Sequence, residues 1–372
     1  MNPFARLRLS APFFCLLAFL SACAPALPPV SPTLPATSAP LATSTPISAT
    51  LAPSNTPTPA PPDAYAAVQA LGRGVNMGNA LEAPHEGEWG VFLQKNYFEL
   101  IRQAGFQFVR IPINWNAHAA KDAPYSLDPA FFARVDQVVS WALLSKLQVI
   151  LDFHNDPDLM SDPQGQSERY LAIWKQVAEH YRGYQPGLLF ELLNEPNDKL
   201  DAAGWNALSL KALGILRQSN PDRNVVIGGA QWNAYDQLQN LELPQNDRHI
   251  IATFHYYNPF EFTHQGAEWA AGMDKYLGTT WQATDAEKAA ISAQFEQVAA
   301  WGKAHDRPVL LGEFGAYSKA GMDSRARWTS FVAREAEKDG FAWAYWEFCA
   351  GFGVYDPAAR VWRAPLLKAL IP

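Results

Sequence analysis

Two carboxylates stand where an apolar chain would not ordinarily place them. Glu195 lies near the end of the stretch "LLFELLNEPN" (188–197), just before Pro196 stops it, and Glu313 lies near the end of "PVLLGEF" (308–314). An unpaired carboxylate in such a setting is costly, so each needs a purpose or a partner. Two carboxyl groups facing each other across a cleft can split a glycosidic bond. One, protonated, gives its proton to the departing oxygen; the other, ionised, attacks the anomeric carbon or activates water. The residues alone leave open which does which. Arg110 is a cation suited to holding a neighbouring carboxylate ionised. Asn194 can hydrogen-bond a sugar hydroxyl beside the reacting carbon. His154, His255 and Tyr257 supply further donors, and tryptophans such as Trp346 offer flat apolar faces to sugar rings. Glu191 shares strand parity with Glu195, so it is expected to point inward, to need a basic or hydrogen-bonding partner, and to support the site without doing chemistry.

Taken singly, each residue has a plainer reading as a solvated loop glutamate, a hydrogen-bonded structural histidine or a core tryptophan. What counts against the plain readings is their repetition. Strand candidates run over 74–79, 106–113, 148–154, 188–195, 224–229, 250–257, 308–314 and 342–348. The first ends at Asn79, the second carries Arg110 and the third ends at His154. The fourth ends in Asn194 and Glu195, the sixth gives His255 and Tyr257, the seventh Glu313 and the eighth Trp346. Between most of them lie segments of 3.6-residue periodicity. Residues 128–146 form one, with Asp128 as N-cap and Pro129 at the first helical position. Residues 286–305 and 324–340 form two more, the last closed by Gly340. The fifth unit is weakest, with only a short helix over 231–240. Eight such units point to an α/β fold, a (β/α)8 (TIM) barrel, over a doubly wound open sheet. In that barrel the C-terminal strand ends converge on one face, so residues far apart in sequence meet in one cleft.

The rest of the 372 residues divides simply. Arg6 and Arg8 precede the apolar run "APFFCLLAFL" (11–20), long enough for a signal-peptide core and short for a bilayer span. "LSAC" (20–23) follows and resembles a bacterial lipobox, which implies cleavage before Cys23 and a lipid on it; ordinary signal cleavage nearby is the alternative. Residues 24–62 contain twelve prolines and no charge, a composition expected to stay extended and disordered. The expected division is therefore a lipoprotein signal peptide (1–22), a lipidated Cys with its Pro/Thr/Ser/Ala linker (23–63) and a catalytic domain (64–372). Setting aside Arg6, Arg8 and Asp63 leaves that domain 27 basic and 35 acidic residues, a net charge of −8. This argues against nucleic acid and against anionic lipid, leaving the membrane to the anchor alone. Cys349 is the domain's single cysteine, so no internal disulfide is expected. "LGRGVNMG" (71–78) misses the dinucleotide-binding spacing, "HEGEW" (85–89) lacks the second His of a zinc helix, and no phosphate loop or Gly-x-Ser-x-Gly elbow is present. No cofactor or metal is expected.

The blocks "VRIPINW", "LLFELLNEPN", "FHYYNPFEFTHQGAEW", "LLGEFGAYSKA" and "WAYWEFCAGFGVYD" together resemble glycoside hydrolase family 5. Within it the likeness is to bacterial endo-β-1,4-glucanases, a group in which some members also cleave β-mannan, and it runs from about Leu71 to Ile371. The resemblance implies Glu195 as acid/base and Glu313 as nucleophile. It implies that Arg110 positions and ionises the nucleophile and that Asn194 meets the sugar 2-hydroxyl. Tyr257 would stand near the nucleophile, His154 and His255 would line the reacting subsite, and Trp346 would lie under that sugar. Asn79, Glu82 and Trp269 fall where relatives contact neighbouring sugars. The family retains anomeric configuration, with carboxyl groups about 5–5.5 Å apart. One departure stands out: "DFHND" has Asn155 where a second histidine is often found, and a changed polar contact there bears on glucose against mannose. The expected protein is thus an exported, lipid-anchored, monomeric endoglucanase acting on β-glucan. A β-mannanase or dual enzyme is the alternative, and a catalytically silent surface glycan-binding protein is the reading from another class.

Overall fold

The computed structural model describes residues 62–154 and 156–372. The expected signal peptide, the expected lipidation site at Cys23, the proline-rich stretch up to residue 61 and Asn155 lie outside the described residues.

Eight parallel strands close into a barrel in sequence order: β1 (Arg73–Asn76), β2 (Phe108–Ile113), β3 (Gln148–Phe153), β4 (Leu188–Glu191), β5 (Val225–Gly228), β6 (Ile250–Tyr256), β7 (Val309–Phe314) and β8 (Ala342–Tyr345). Helix α1 (Ala64–Leu71) precedes the barrel. The layer outside it contains α2 (Lys95–Ala104), α3 (Pro129–Leu144), the short α4 (Pro157–Ser161), α5 (Pro163–His180), α6 (Ala202–Ser219), the short α7 (Phe260–Thr263), α8 (Asp285–Ala304), α9 (Met322–Lys338) and α10 (Ala364–Leu370). Helix α3 starts as its residues dictate, with Asp128 accepting from the Ala130 N–H and Pro129 in the first turn. Thr284 and Glu287 cap α8 reciprocally. The fifth unit is as weak as its sequence, since only a 3₁₀ turn (Tyr235–Asn240) follows β5.

Alternation along the strands sorts apolar side chains into two clusters. One face, with Val109, Ile111, Val149, Leu151 and Phe190, packs outward under the helices. The other, with Phe108, Ile150, Leu189, Val226, Ile251 and Leu310, fills the barrel near its N-terminal end. There Ala64, Ala67, Val68 and Leu71 of α1 complete it like a plug. Each fully buried Leu, Ile, Val or Phe contributes roughly 1.5–3 kcal/mol. Moving up the barrel, the same inward parity carries Asn76, Arg110, Asp152 and Glu191, all fully buried.

The strands are shorter than their apolar patterns. Strand β4 stops at Glu191, four residues before Glu195. Asn194 still donates its N–H to Phe153 O (2.9 Å), but Glu195 turns into the left-handed region (φ 46°) and Pro196 has no N–H to continue a ladder. Asn79 and Trp346 likewise lie beyond their strands, in the loops after β1 and β8.

Candidate active site

The site is built around one buried cation. Arg110 Nε and Nη2 donate to the two oxygens of Glu191 (2.7 and 3.0 Å), so Glu191 has the basic partner its parity called for. Nη1 donates to Asn76 Oδ1 (3.0 Å) and to Glu313 Oε1 (2.8 Å). Nη2 also meets Asn194 Oδ1 (2.9 Å) and Asp152 Oδ2 (3.0 Å). Burial works against the charge on Arg110, but Asp152, Glu191 and Glu313 together hold it protonated. A planar guanidinium presents five donors in a fixed fork, and here it fixes side chains from four strands and the β4 loop at once.

Glu313 receives donors on both oxygens: Arg110 on one and the Tyr257 hydroxyl (2.8 Å) on the other. That is the environment of an acceptor-only, ionised carboxylate. Its orientation depends on a backbone irregularity. Leu310 belongs to the barrel interior and Gly312 shares its parity, so regular alternation would send Glu313 outward. The pairing of β6 with β7 slips at Phe254/His255, and that of β7 with β8 slips between Leu311 and Phe314. These shifts turn Glu313 into the cleft opposite His255. Gly312 permits it, because a Cβ there would lie 2.7 Å from Thr253 Oγ1 and 3.0 Å from His255 Nε2.

Glu195 faces a different environment. Its Oε1 lies 2.7 Å from His255 Nδ1, and its own carbonyl accepts from Asn197 Nδ2 (2.8 Å). Although 25% of the side chain still meets solvent, burial pushes its carboxyl up to about 7. Burial also lowers His255 to about 4, so the imidazole is neutral at pH 7. One carboxylate oxygen each from Glu195 and Glu313, with a ring nitrogen of His255, lie within 4.8 Å of one another. One carboxyl is therefore poised to give a proton and the other to accept donors, across a gap the width of a single reacting carbon.

The remaining sequence candidates surround this pair. His154 is buried, held by Asp152 (Nδ1 to Oδ2, 2.5 Å), and its ring stacks on Trp346 at 5.8 Å. Asn79, Glu82, His154, Asn194, Tyr257, Trp269 and Trp346 all line one cavity of about 790 Å³ with Glu195 and Glu313. Within it Glu82 is more a brace than an open surface. Its carboxylate accepts the backbone N–H groups of Asn79 and Ala80, and burial raises it to about 8. Trp269 is the opposite, 61% exposed at the rim. Sequence reasoning missed Asp152 and Asn76, both on Arg110, and the exposed rim residues Trp89 and Trp232. Asp152 was within reach, since it shares parity with His154 two residues on.

The chain matches the family described as Cellulase (glycosyl hydrolase family 5) over residues 69–351. It is 35% identical over 314 residues to Endoglucanase H of Acetivibrio thermocellus, covering 83% of this chain but 33% of that protein. It is 30% identical over 332 residues to Endoglucanase B of Ruminococcus albus, covering 81% of this chain and 78% of that one. The structure is similar to Cel5A of Thermotoga maritima solved with mannotriose, at 46% identity and a TM-score of 0.82, covering 83% of this chain and 100% of that chain. The same Thermotoga protein has been solved with cellobiose, with the same TM-score. The Arg110-centred carboxyl pair thus sits in a chain that belongs to the cellulase family, glycosyl hydrolase family 5.

Proposed function

We infer that the protein is a retaining endo-β-1,4-glucanase that cleaves internal bonds of cellulose-type or mixed-linkage β-glucans through a covalent glycosyl-enzyme. The observation that carries this reading is the contrast between two carboxyls, one oxygen of each lying within 4.8 Å of one of the other. Glu195 is raised to about 7 by burial, and Glu313 is held by Arg110 and Tyr257. Separations near 5 Å leave no room for a water between carboxylate and anomeric carbon, which favours direct attack.

In the first step Glu313 bonds to the anomeric carbon while the glycosidic C–O bond breaks, and the departing oxygen takes the proton of Glu195. In the second, Glu195, now ionised, removes a proton from water as that water attacks the same carbon and Glu313 leaves. Two inversions give net retention. Arg110 holds the oxygen of the Asn194 side chain, which leaves the amide N–H₂ for the sugar 2-hydroxyl. Trp346, steadied by His154, supplies the apolar face beneath the reacting ring.

β-Mannan is the second substrate reading, supported by the similar Thermotoga protein having been solved with both mannotriose and cellobiose. The third, a silent glycan binder, has no use for the burial that raises Glu195. Assaying residues 62–372 and Glu313→Ala on carboxymethyl-cellulose, mixed-linkage β-glucan and β-mannan, with proton NMR of the first anomer released, tests all three. Retained β-products lost in the variant support the mechanism, and relative rates rank the polymers. Binding without turnover on any polymer returns the protein to the glycan-binder class.

Outside the cell the enzyme acts as a monomer, anchored through lipid on Cys23. The anchor rests on "LSAC" and the apolar run before it; among the described residues no helix is long and apolar enough to cross a membrane. Loss of radiolabelled fatty acid from Cys23→Ala tests the anchor.

A further inference from the structure

One histidine ring in the cleft carries a proton whose position the fold dictates. Asp152 lies near the end of β3 and His154 follows two residues later, so the two share the inward face. His154 stays in register with the barrel, donating its N–H to Ile113 O (2.8 Å). Asp152 Oδ2 then lies 2.5 Å from His154 Nδ1 and 3.0 Å from Arg110 Nη2. Both side chains are buried, that of Asp152 completely. Burial, with Arg110 close by, lowers His154 to about 4. At pH 7 the imidazole is therefore neutral, with a single N–H to place, and the partner of one ring nitrogen decides the role of the other.

The two oxygens of Asp152 are not equivalent. Oδ2 takes both neighbours, whereas Oδ1 is buried with no hydrogen-bond partner among the described residues. A guanidinium can only donate, which makes Oδ2 an acceptor. Burial raises the Asp152 carboxyl to about 7, but a proton taken up there belongs on Oδ1, and Oδ2 still accepts. The His154 proton sits on Nδ1 in either state of Asp152. Across the ring, Nε2 points away from Asp152, and among the described residues nothing hydrogen-bonds it. His154 lines the cavity that holds Glu195, Glu313 and Trp346. Its ring lies within 10° of parallel to that of Trp346, with centroids 5.8 Å apart. A bare nitrogen lone pair thus stands beside the apolar platform on which a sugar ring would rest.

We propose that Asp152 is a positioning residue for the glucanase reaction: it holds His154 in the Nδ1-protonated tautomer, so that Nε2 meets a hydroxyl of the reacting sugar as a hydrogen-bond acceptor. This deepens the endoglucanase reading and rests on it. The same Oδ2 ties that acceptor to Arg110, and through Arg110 to Glu313. One buried oxygen therefore orients the group that holds the sugar and the cation that holds the nucleophile.

The test reads the tautomer and its kinetic consequence on the whole chain. Long-range proton–nitrogen NMR of histidine-labelled protein separates a protonated ring nitrogen from a bare one, with His154→Ala assigning the signal. At pH 7 the wild type should show His154 protonated at Nδ1 and bare at Nε2. Asp152→Asn keeps an oxygen for Arg110 and His154, so it should keep the tautomer and stay within about threefold of wild-type kcat/KM on mixed-linkage β-glucan. Asp152→Leu removes the acceptor and should lose about 10–100-fold, the range found when the partner orienting a metal-bound histidine is removed. In a His154→Ala background the same Asp152→Leu change should cost less than about threefold, because its effect runs through the ring. A wild-type proton on Nε2 overturns the proposal, and this readout stands whether or not Asp152→Leu folds. So does an Asp152→Asn variant as impaired as Asp152→Leu, or a full further loss in the His154→Ala background, which would place the role of Asp152 at Arg110 alone. Absence of wild-type turnover on β-glucan overturns the endoglucanase reading instead, with the tautomer still read by NMR.

Discussion

The two ends of the barrel interior are built from the same strand positions and do opposite work. At the N-terminal end, Phe108, Ile150, Leu189 and Leu310 close on α1 without a polar atom among their side chains. One inward step further up, the positions are Asn76, Arg110, Asp152 and Glu191, joined through a single guanidinium. The lower end gains stability by excluding water. The upper end spends some of that stability to keep charges dry and fixed, because desolvating an ion pair seldom returns a net gain. The barrel thus separates stability from chemistry along its axis, and substitutions at the two ends should separate them too.

The largest effect is expected at Glu313. Glu313→Ala should lower kcat on β-glucan by on the order of 10⁴-fold or more, as for other residues that act as a unit with their partners. Its unfolding midpoint should barely move, since Arg110 keeps Glu191, Asp152 and Asn194. A large drop in midpoint would blur the separation. Arg110→Met comes next. It strips three buried carboxylates of their cation and should cost about 3–5 kcal/mol in denaturant unfolding, with activity lost as well, so it breaks both functions of the upper end together. At the lower end, Leu71→Ala leaves a cavity under the barrel and should cost about 2–5 kcal/mol, with kcat at 25 °C within twofold of wild type. A fall in kcat there comparable to that of the upper variants would contradict the division.

The smallest effect concerns pH. Glu195 must carry a proton in the first step, so kcat/KM should fall as pH rises through about 7. Stability follows the same sign. The folded carboxyl lies above its unfolded value of 4.5, so between pH 4.5 and 7 the folded chain keeps a proton that the unfolded chain has lost. The contribution of Glu195 therefore declines as pH rises across that window. Glu195→Gln, which cannot ionise, should gain thermal midpoint relative to wild type as pH increases from 4.5 to 8. A constant difference across that range would mean the carboxyl is not raised.

How much of this was legible in the chain depended on whether it followed strand parity. Eight apolar runs with helical spacers were enough for the barrel, and Glu191 was placed inward by counting twos. Asp152 obeys the same count, two residues before His154. Glu313 does not obey it, because the register slips in β6 and β7 arise from pairing across the sheet and leave no mark on either strand alone. The left-handed turn at 231–233 is equally silent, since no glycine announces it. Strand ends were overextended for one reason. The apolar runs continue past the last ladder bond into loops that are themselves buried, as Leu192 and Leu193 are, so hydrophobicity could not tell strand from site.

The most direct test of the central claim is to trap the covalent intermediate. Incubation with a 2-deoxy-2-fluoro-β-cellobioside carrying a good leaving group should slow both steps and let the glycosyl-enzyme accumulate. Intact-protein and peptide mass spectrometry would then locate the added sugar. The account predicts a single cellobiosyl adduct on the peptide containing Glu313, absent in Glu313→Ala. An adduct on Glu195, or turnover with inverted products and no adduct, would contradict it.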